Sequence, residues 1–233
     1  KIPHAIIITA GFKEVGGAGI EKEYELKEIA RKYKINIVGP NCLGVIDGHA
    51  KLNATFGNDL PFVGKLAFIS QSGALGTAML DLAAKSGVGF SKFISLGNEA
   101  GAKEIDFLEY LSSDHDTGAI LMYLEGISDG KRFISIASEV AKKKPVIVLK
   151  AGRTSRGQKA VASHTGSLAP SHEIFKAACR QAGVILVDSL NDMMAIAKLL
   201  GAGHYDLPTK WTVLTNGGGP SIILSDLIES SKN

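Results

Sequence analysis

Short apolar runs closed by glycine-rich turns alternate with amphipathic stretches along almost the whole chain. Buried strands flanked by helices of this length satisfy their backbones in a parallel sheet with right-handed crossovers. The pattern predicts strands at 5–9, 35–38, 66–70, 90–96, 119–124, 145–149, 184–187 and 211–215, with a further short one at 43–46. Helices are predicted at 21–34, 74–85, 105–111, 131–142, 170–181, 190–200 and 220–230. In 21–34, Leu26, Ile29, Ala30 and Tyr33 recur at helical spacing, which predicts that they face inward and that Glu23, Lys27, Arg31 and Lys34 face water. Segments 47–64 and 201–208 lack a pattern and contain Pro and Gly, so both read as linkers. Segment 151–167 reads as a polar loop.

The expected fold is therefore α/β, with a flavodoxin-like doubly wound parallel sheet at its centre. The middle unit, 63–205, has enough strands and helices to close such a sheet. The flanking pieces, 1–62 and 206–233, have too few strands to cover one. Both ends look cut, and the chain is expected to be part of a longer polypeptide.

Composition narrows the function classes. With 26 Lys+Arg against 23 Asp+Glu, the net charge of +3 is too mild to argue for nucleic acid. No apolar run is long enough to span a bilayer, and no leader with a cleavage site is expected. Cys42 and Cys179 lie far apart without metal-ligand spacing, so a cytoplasmic setting without a metal site is expected. The 27 glycines of this chain point instead to tight strand-to-helix turns, where anions bind.

Four constellations carry chemistry. Ser70-Gln71-Ser72-Gly73-Ala74 runs from a strand into a helix, whose first N–H groups and dipole suit a phosphate; a plain turn capped by Ser72 is the alternative. Asn216-Gly217-Gly218-Gly219-Pro220 is a second glycine-rich helix start, with Pro220 in the first turn. Lys150–Lys159 carries four cations and no acid, and leads to His164 among small residues, a setting for a reactive imidazole near a phosphorylated species. Glu125 ends an apolar strand, at the edge where open α/β sheets collect ligand chemistry. It could fix the imidazole tautomer or simply be solvated. Ser72 at a strand-to-helix corner also suggests a hydrolase nucleophile paired with His164, although a nucleophile elbow requires Gly where this chain has Ser70.

Taken together, Ile8-Thr9-Ala10-Gly11-Phe12, Gly39-Pro40-Asn41-Cys42-Leu43-Gly44, Ser70-Gln71-Ser72-Gly73-Ala74, Ser95-Leu96-Gly97-Asn98, Ser163-His164-Thr165-Gly166-Ser167 and Thr215-Asn216-Gly217-Gly218-Gly219-Pro220 resemble the α-type chain of ADP-forming acyl-CoA (acetyl-CoA) synthetases, relatives of succinyl-CoA synthetase. The resemblance runs through the whole chain. It implies that 1–62 is the latter part of a Rossmann-type CoA-binding domain, 63–205 a flavodoxin-like ligase domain, and 206–233 the start of a further flavodoxin-like domain. It also implies a phosphohistidine relay from acyl-CoA and phosphate, through acyl phosphate and His164, to ADP. Glu125 would orient His164. Ser72, Gly73 and Ala74 at one helix start, and Gly218 and Gly219 at another, would hold the phosphate. Ile8, Thr9, Ala10, Asn41 and Cys42 would lie near CoA, with Ala10 standing where the succinate enzyme has Glu; a small buried thiol is the other reading of Cys42. ADP or ATP with Mg would be bound by an ATP-grasp domain outside this chain, fused or on a β-type chain, in an oligomer. A regulatory acyl-CoA-binding module of a protein acetyltransferase is the alternative, and the presence of His164 argues for the enzyme.

Overall fold

The computed structural model describes residues 2–57, 61–127, 129–165, 172–201 and 212–230, the side chains of 162–165 excepted. They belong to two units, Lys1–Gly203 and His204–Asn233. The first opens with β1 (His4–Ile6), α1 (Ala18–Tyr33) and β2 (Asn36–Val38), the strands pairing in parallel with His4 opposite Asn36. A hairpin follows, β3 (Gly44–Asp47) and β4 (Leu52–Thr55).

The main alternation then runs β5 (Val63–Ser70), α2 (Gly73–Ser86), β6 (Phe90–Ser95), α3 (Glu104–Ser113), β7 (Ala119–Leu124) and α4 (Gly130–Ala141). It continues through β8 (Val146–Lys150), α5 (Ser155–Thr165), α6 (His172–Gln181), β9 (Ile185–Val187) and α7 (Leu190–Gly201). Seven strands form one sheet in the order β4-β3-β6-β5-β7-β8-β9. The last five are parallel, in the flavodoxin-like order second, first, third, fourth, fifth. The second unit contains α8 (Gly218–Ser230).

Both faces of this sheet are covered, which is why its strands read as unbroken apolar runs rather than alternating ones. Along β5, Ala67 and Ile69 enter the core formed with α3, α4 and α6. Leu66 and Phe68 enter the opposite core, with Met79 and Ala83 of α2 and Met193 and Ala197 of α7. Each large side chain so buried contributes roughly 1.5–3 kcal/mol. The chain leaves β5 toward β6 on one side and then crosses back to β7 on the other. The C-terminal ends of β6, β5 and β7 therefore flank a topological switch point, where such sheets open a crevice.

Four expectations need correction. Segment 47–64 contains β4, which pairs antiparallel with β3, while β3 pairs antiparallel with β6. An outer strand of a hairpin has little to bury, so Leu52 is exposed and the apolar signal vanishes. Segment 151–167 is helical over Ser155–Thr165. Its Arg, Gln, Lys and Ala are good helix formers without a wide apolar stripe, and the Thr154 hydroxyl accepts from the Gly157 N–H at 3.1 Å as a helix-start contact. Residues 212–215 are outside any strand, and Trp211 lies outside the described residues. On α1 the expected faces are exchanged in part: Ile29 and Tyr33 are exposed, whereas Glu23 is buried. Lys27 at 3.0 Å and the Asn98 amide at 2.9 Å draw the Glu23 carboxylate inward.

Candidate active site

The site is built at the C-terminal ends of β5, β6, β7 and β8. Ser70 closes β5 fully buried, donating its hydroxyl to the Ser72 carbonyl at 2.7 Å and accepting from the Ser72 N–H at 3.1 Å. This local pair turns the chain sharply into α2 and explains a Ser where a nucleophile elbow would need Gly. Ser72 caps α2, its Oγ accepting from the Leu75 N–H at 3.3 Å. The N–H groups of Gly73 and Ala74 have no partner among the described residues. They stand at the positive end of the helix dipole, near the C-terminal end of β5. Ser72 is thus the cap of α2, at the same helix start as those two N–H groups.

Glu125 follows β7 directly and is buried. Its peptide is held from both sides. The Gln71 Oε1 accepts from the Glu125 N–H and, at 3.0 Å, from the Gly126 N–H, and the Gln71 Nε2 donates to the Gly126 carbonyl at 3.1 Å. The Lys150 ammonium, buried at the end of β8, donates to the carbonyls of Glu125 and Ala151, both at 2.7 Å. Burial holds Lys150 below the ordinary lysine range, with the Glu125 carboxylate pulling the other way. Burial, and after it the Glu125 charge, pushes the neighbouring Tyr123 phenol up to about 12. Two cations of the 150–159 run therefore serve the fold: Lys150 binds carbonyls, and Arg153 pairs with Asp188 at 2.9 Å.

A carboxyl pair, Glu99 and Glu104, lies next to Gln71. Glu99, in the loop after β6, accepts from Gln71 Nε2 at 3.1 Å. Burial, then the Glu104 carboxylate, pushes its carboxyl up to about 8. Next to it, Asn98 donates to Glu23 at 2.9 Å, accepts from the Asn41 amide at 3.3 Å, and bonds the Pro40 carbonyl through its N–H at 2.8 Å. Gly97 brings the loop in contact with that turn: at φ +59 its backbone runs so close that a Cβ would stand 2.2 Å from the Pro40 carbonyl oxygen.

The expected CoA residues gather near the same turn. The Asn41 N–H donates to the Thr9 carbonyl at 3.0 Å, and Cys42 is buried with its thiol against the Ile7 carbonyl at 3.4 Å. Burial raises the Cys42 thiol to about 11, so it behaves as a small buried side chain. Ile8, Thr9 and Ala10 are exposed. His164 lies in the last turn of α5, which follows β8, the parallel neighbour of the strand that Glu125 follows; its side chain, and residues 166–171 of the motif around it, lie outside the described residues. In the second unit, Gly218 and Gly219 begin α8 and are exposed, with N–H groups that have no partner among the described residues. No group of three or more His, Cys, Asp or Glu suited to a metal occurs among the described residues. Gln71 and Glu99 are neighbours of the candidate site that sequence reading did not single out, and Lys150, read there as part of a cationic run toward phosphate, instead binds carbonyls. Gln71 stood inside a quoted motif, but nothing in its spacing showed where its side chain would bind.

Residues 63–200, more than half of the chain, match the family described as succinyl-CoA ligase like flavodoxin domain. The chain belongs to this succinyl-CoA ligase-like family. It is 48% identical over 222 residues to acetate–CoA ligase [ADP-forming] I of Archaeoglobus fulgidus, covering 95% of this chain and 32% of that protein. It is 48% identical over 226 residues to the α subunit of acetate–CoA ligase [ADP-forming] II of Pyrococcus furiosus, covering 96% and 49%. Among solved structures it is similar to the dinucleotide forming acetyl-coenzyme A synthetase 1 of Ca. Korarchaeum cryptofilum in complex with phosphate and ADP, with TM-score 0.92, 42% identity, and coverage of 97% and 49%. This succinyl-CoA ligase-like chain thus spans about a third to a half of the length of these relatives. No helix among its described residues is long and apolar enough to cross a membrane.

Proposed function

We propose that this chain is the α-type part of an ADP-forming acyl-CoA ligase, an acid–thiol ligase working through phosphohistidine. A phosphate oxygen attacks the thioester carbonyl, and CoA leaves as the thiolate. One imidazole nitrogen of His164 then attacks the phosphorus of the acyl phosphate, and the carboxylate departs as the P–O bond breaks. A terminal oxygen of ADP displaces the imidazole, giving ATP. Glu125 accepts the hydrogen bond of the second imidazole nitrogen, which keeps the attacking nitrogen unprotonated and stabilises the cation formed on phosphorylation.

The observation that carries this reading is the buried Glu125 at the switch point, set beside a helix start whose first N–H groups have no partner among the described residues. Such donors stabilise a transferring phosphoryl group without the mobility of a lysine. Ser72, Gly73 and Ala74 are assigned to phosphate, and Gly218 and Gly219 to the same chemistry at the start of α8. Ile8, Thr9, Ala10 and Asn41 are assigned to the CoA side. Within this reading residues 1–62 contribute the later part of the CoA-binding domain, while 44–55 also edge the ligase sheet. Mg-bound ADP or ATP enters as substrate on an ATP-grasp domain, fused or on a β-type partner, in the cytoplasm.

The test is transfer of labelled phosphate from acetyl phosphate to the full-length protein. Acid-labile, base-stable label is expected on wild type and absent in His164→Ala, with Glu125→Gln labelled more slowly. Equal labelling of His164→Ala, or no label on wild type, overturns the proposal.

A further inference from the structure

Glu125 is useful only if its carboxyl points consistently at one imidazole, yet it lies just past the end of β7, where the strand ladder no longer fixes the backbone. What fixes it is a side chain from another strand. Gln71 is anchored by its own N–H to the Tyr123 carbonyl at 3.2 Å, in line with the β5–β7 pairing. Its carboxamide then turns to the adjacent chain and uses its full capacity of two donors and one two-lone-pair acceptor. Oε1 takes the consecutive N–H groups of Glu125 and Gly126, and Nε2 gives one hydrogen to the Gly126 carbonyl and the other to Glu99. The two amide donors determine which way round the carboxamide sits. Lys150 completes the hold from the far side by binding the Glu125 carbonyl.

We propose that Gln71 is a positioning residue for phosphoryl transfer: its carboxamide holds the Glu125–Gly126 peptide in register with the helix start at Ser72, and so aims the carboxylate that orients His164. The inference rests on the phosphohistidine reading above. The side chains that look similar cannot substitute. Asn is one methylene too short to reach across from β5. Met has the length but no donor and only a weak acceptor. Glu would set a carboxylate oxygen against the Gly126 carbonyl and would lose the donor that serves both that carbonyl and Glu99. Glu99 accepts the second Nε2 hydrogen at 3.1 Å and so keeps the carboxamide from swinging out.

The experiment is a double-mutant cycle on the rate of His164 phosphorylation from labelled acetyl phosphate in the full-length protein. Displacing an aimed group by a fraction of an ångström to about 1 Å costs up to roughly 100-fold, so Gln71→Met is expected to slow labelling about 10- to 100-fold. In a Glu125→Gln background the same change should alter the rate by less than about 2-fold, because the group it aims is gone. An equal loss in both backgrounds would show a general structural role and overturn the proposal, as would no loss in the wild-type background. Should Gln71→Met fail to fold, amide exchange in the wild type decides: the Glu125 and Gly126 N–H groups are expected to be protected, and exchange at the rate of an open loop overturns the clamp. Wild type that takes up no phosphate defeats the phosphohistidine reading, whereas unprotected amides defeat only this inference.

Discussion

Replacing Gly97 by Ala measures how tightly the loop after β6 is seated on the Pro40–Asn41 turn. Two costs arise, and a second glycine separates them. Gly87, the C-cap of α2, has φ +68 and open space where a Cβ would stand, with nothing within 4 Å, so Gly87→Ala carries only the left-handed penalty. That penalty is about 1–2 kcal/mol, lowered by the smaller entropy of the unfolded alanine chain. Gly97 has φ +59, and its Cβ would stand 2.2 Å from the Pro40 carbonyl oxygen and 2.5 Å from that of Asn41. These are backbone atoms and cannot rotate aside; overpacking of this kind costs a further 1–3 kcal/mol or so. Gly97→Ala should therefore lose about 2–4 kcal/mol, against about 1 kcal/mol for Gly87→Ala. At roughly 2–4 °C per kcal/mol for a domain of this size, the two melts should differ by several degrees. Urea unfolding followed by circular dichroism gives the same comparison as midpoints with a common slope. Equal losses for the two variants would refute the reasoning, since they would mean that the loop is not in contact with that turn.

Two further outcomes follow from buried groups. Because Glu99 titrates at about 8 in the native chain, mainly through burial and then Glu104, against the pull of Gln71 and Lys13, its contribution is full below the ordinary value of 4.5 and declines as pH rises toward 8. Glu99→Gln should gain stability relative to wild type across that window, read from urea midpoints; a gap that does not widen with pH counts against the buried pair. Cys42 and Cys179, raised by burial to about 11 and about 12, should resist iodoacetamide near neutral pH until the chain is unfolded. Mass-spectrometric detection of alkylated Cys42 in the native protein would contradict its placement.

Much of the fold could be read from period alone, because β5, β7 and β8 are buried on both faces and so appear as apolar runs that no loop would carry. The hairpin strand β4 escaped because one side of it faces outward, leaving Asn53 and Thr55 to bond each other rather than fill a core. Helix α5 escaped because its stability draws on propensity and the Thr154 contact, with Val161 as a buried point of attachment. Glu23 was assigned to water because charge normally is; it went inside because Lys13, Lys27 and Asn98 met it there. Of the candidate site, the helix start at Ser72 and the strand-end position of Glu125 were legible, since both follow from strand–turn–helix order. The places of Gln71 and Glu99, and the carbonyl partners of Lys150, were not. Their roles depend on which strands become neighbours, and an order that places β5 between β6 and β7 is a property of the assembled sheet.

The attachment of β3 to β6 has a practical meaning for anyone who wishes to transplant or truncate this sheet. The family match begins at residue 63, and a gene fragment started there would look complete by sequence. It would lack the strand that pairs with Ile94, Phe93 and Lys92. β6 would then present a naked row of amides and carbonyls to solvent, an invitation to zip onto a second molecule. The natural seam for recombination therefore lies upstream of Gly44, inside what reads by sequence as the preceding domain, because the hairpin at 44–55 is stitched to β6 by shared hydrogen bonding rather than joined by a hinge.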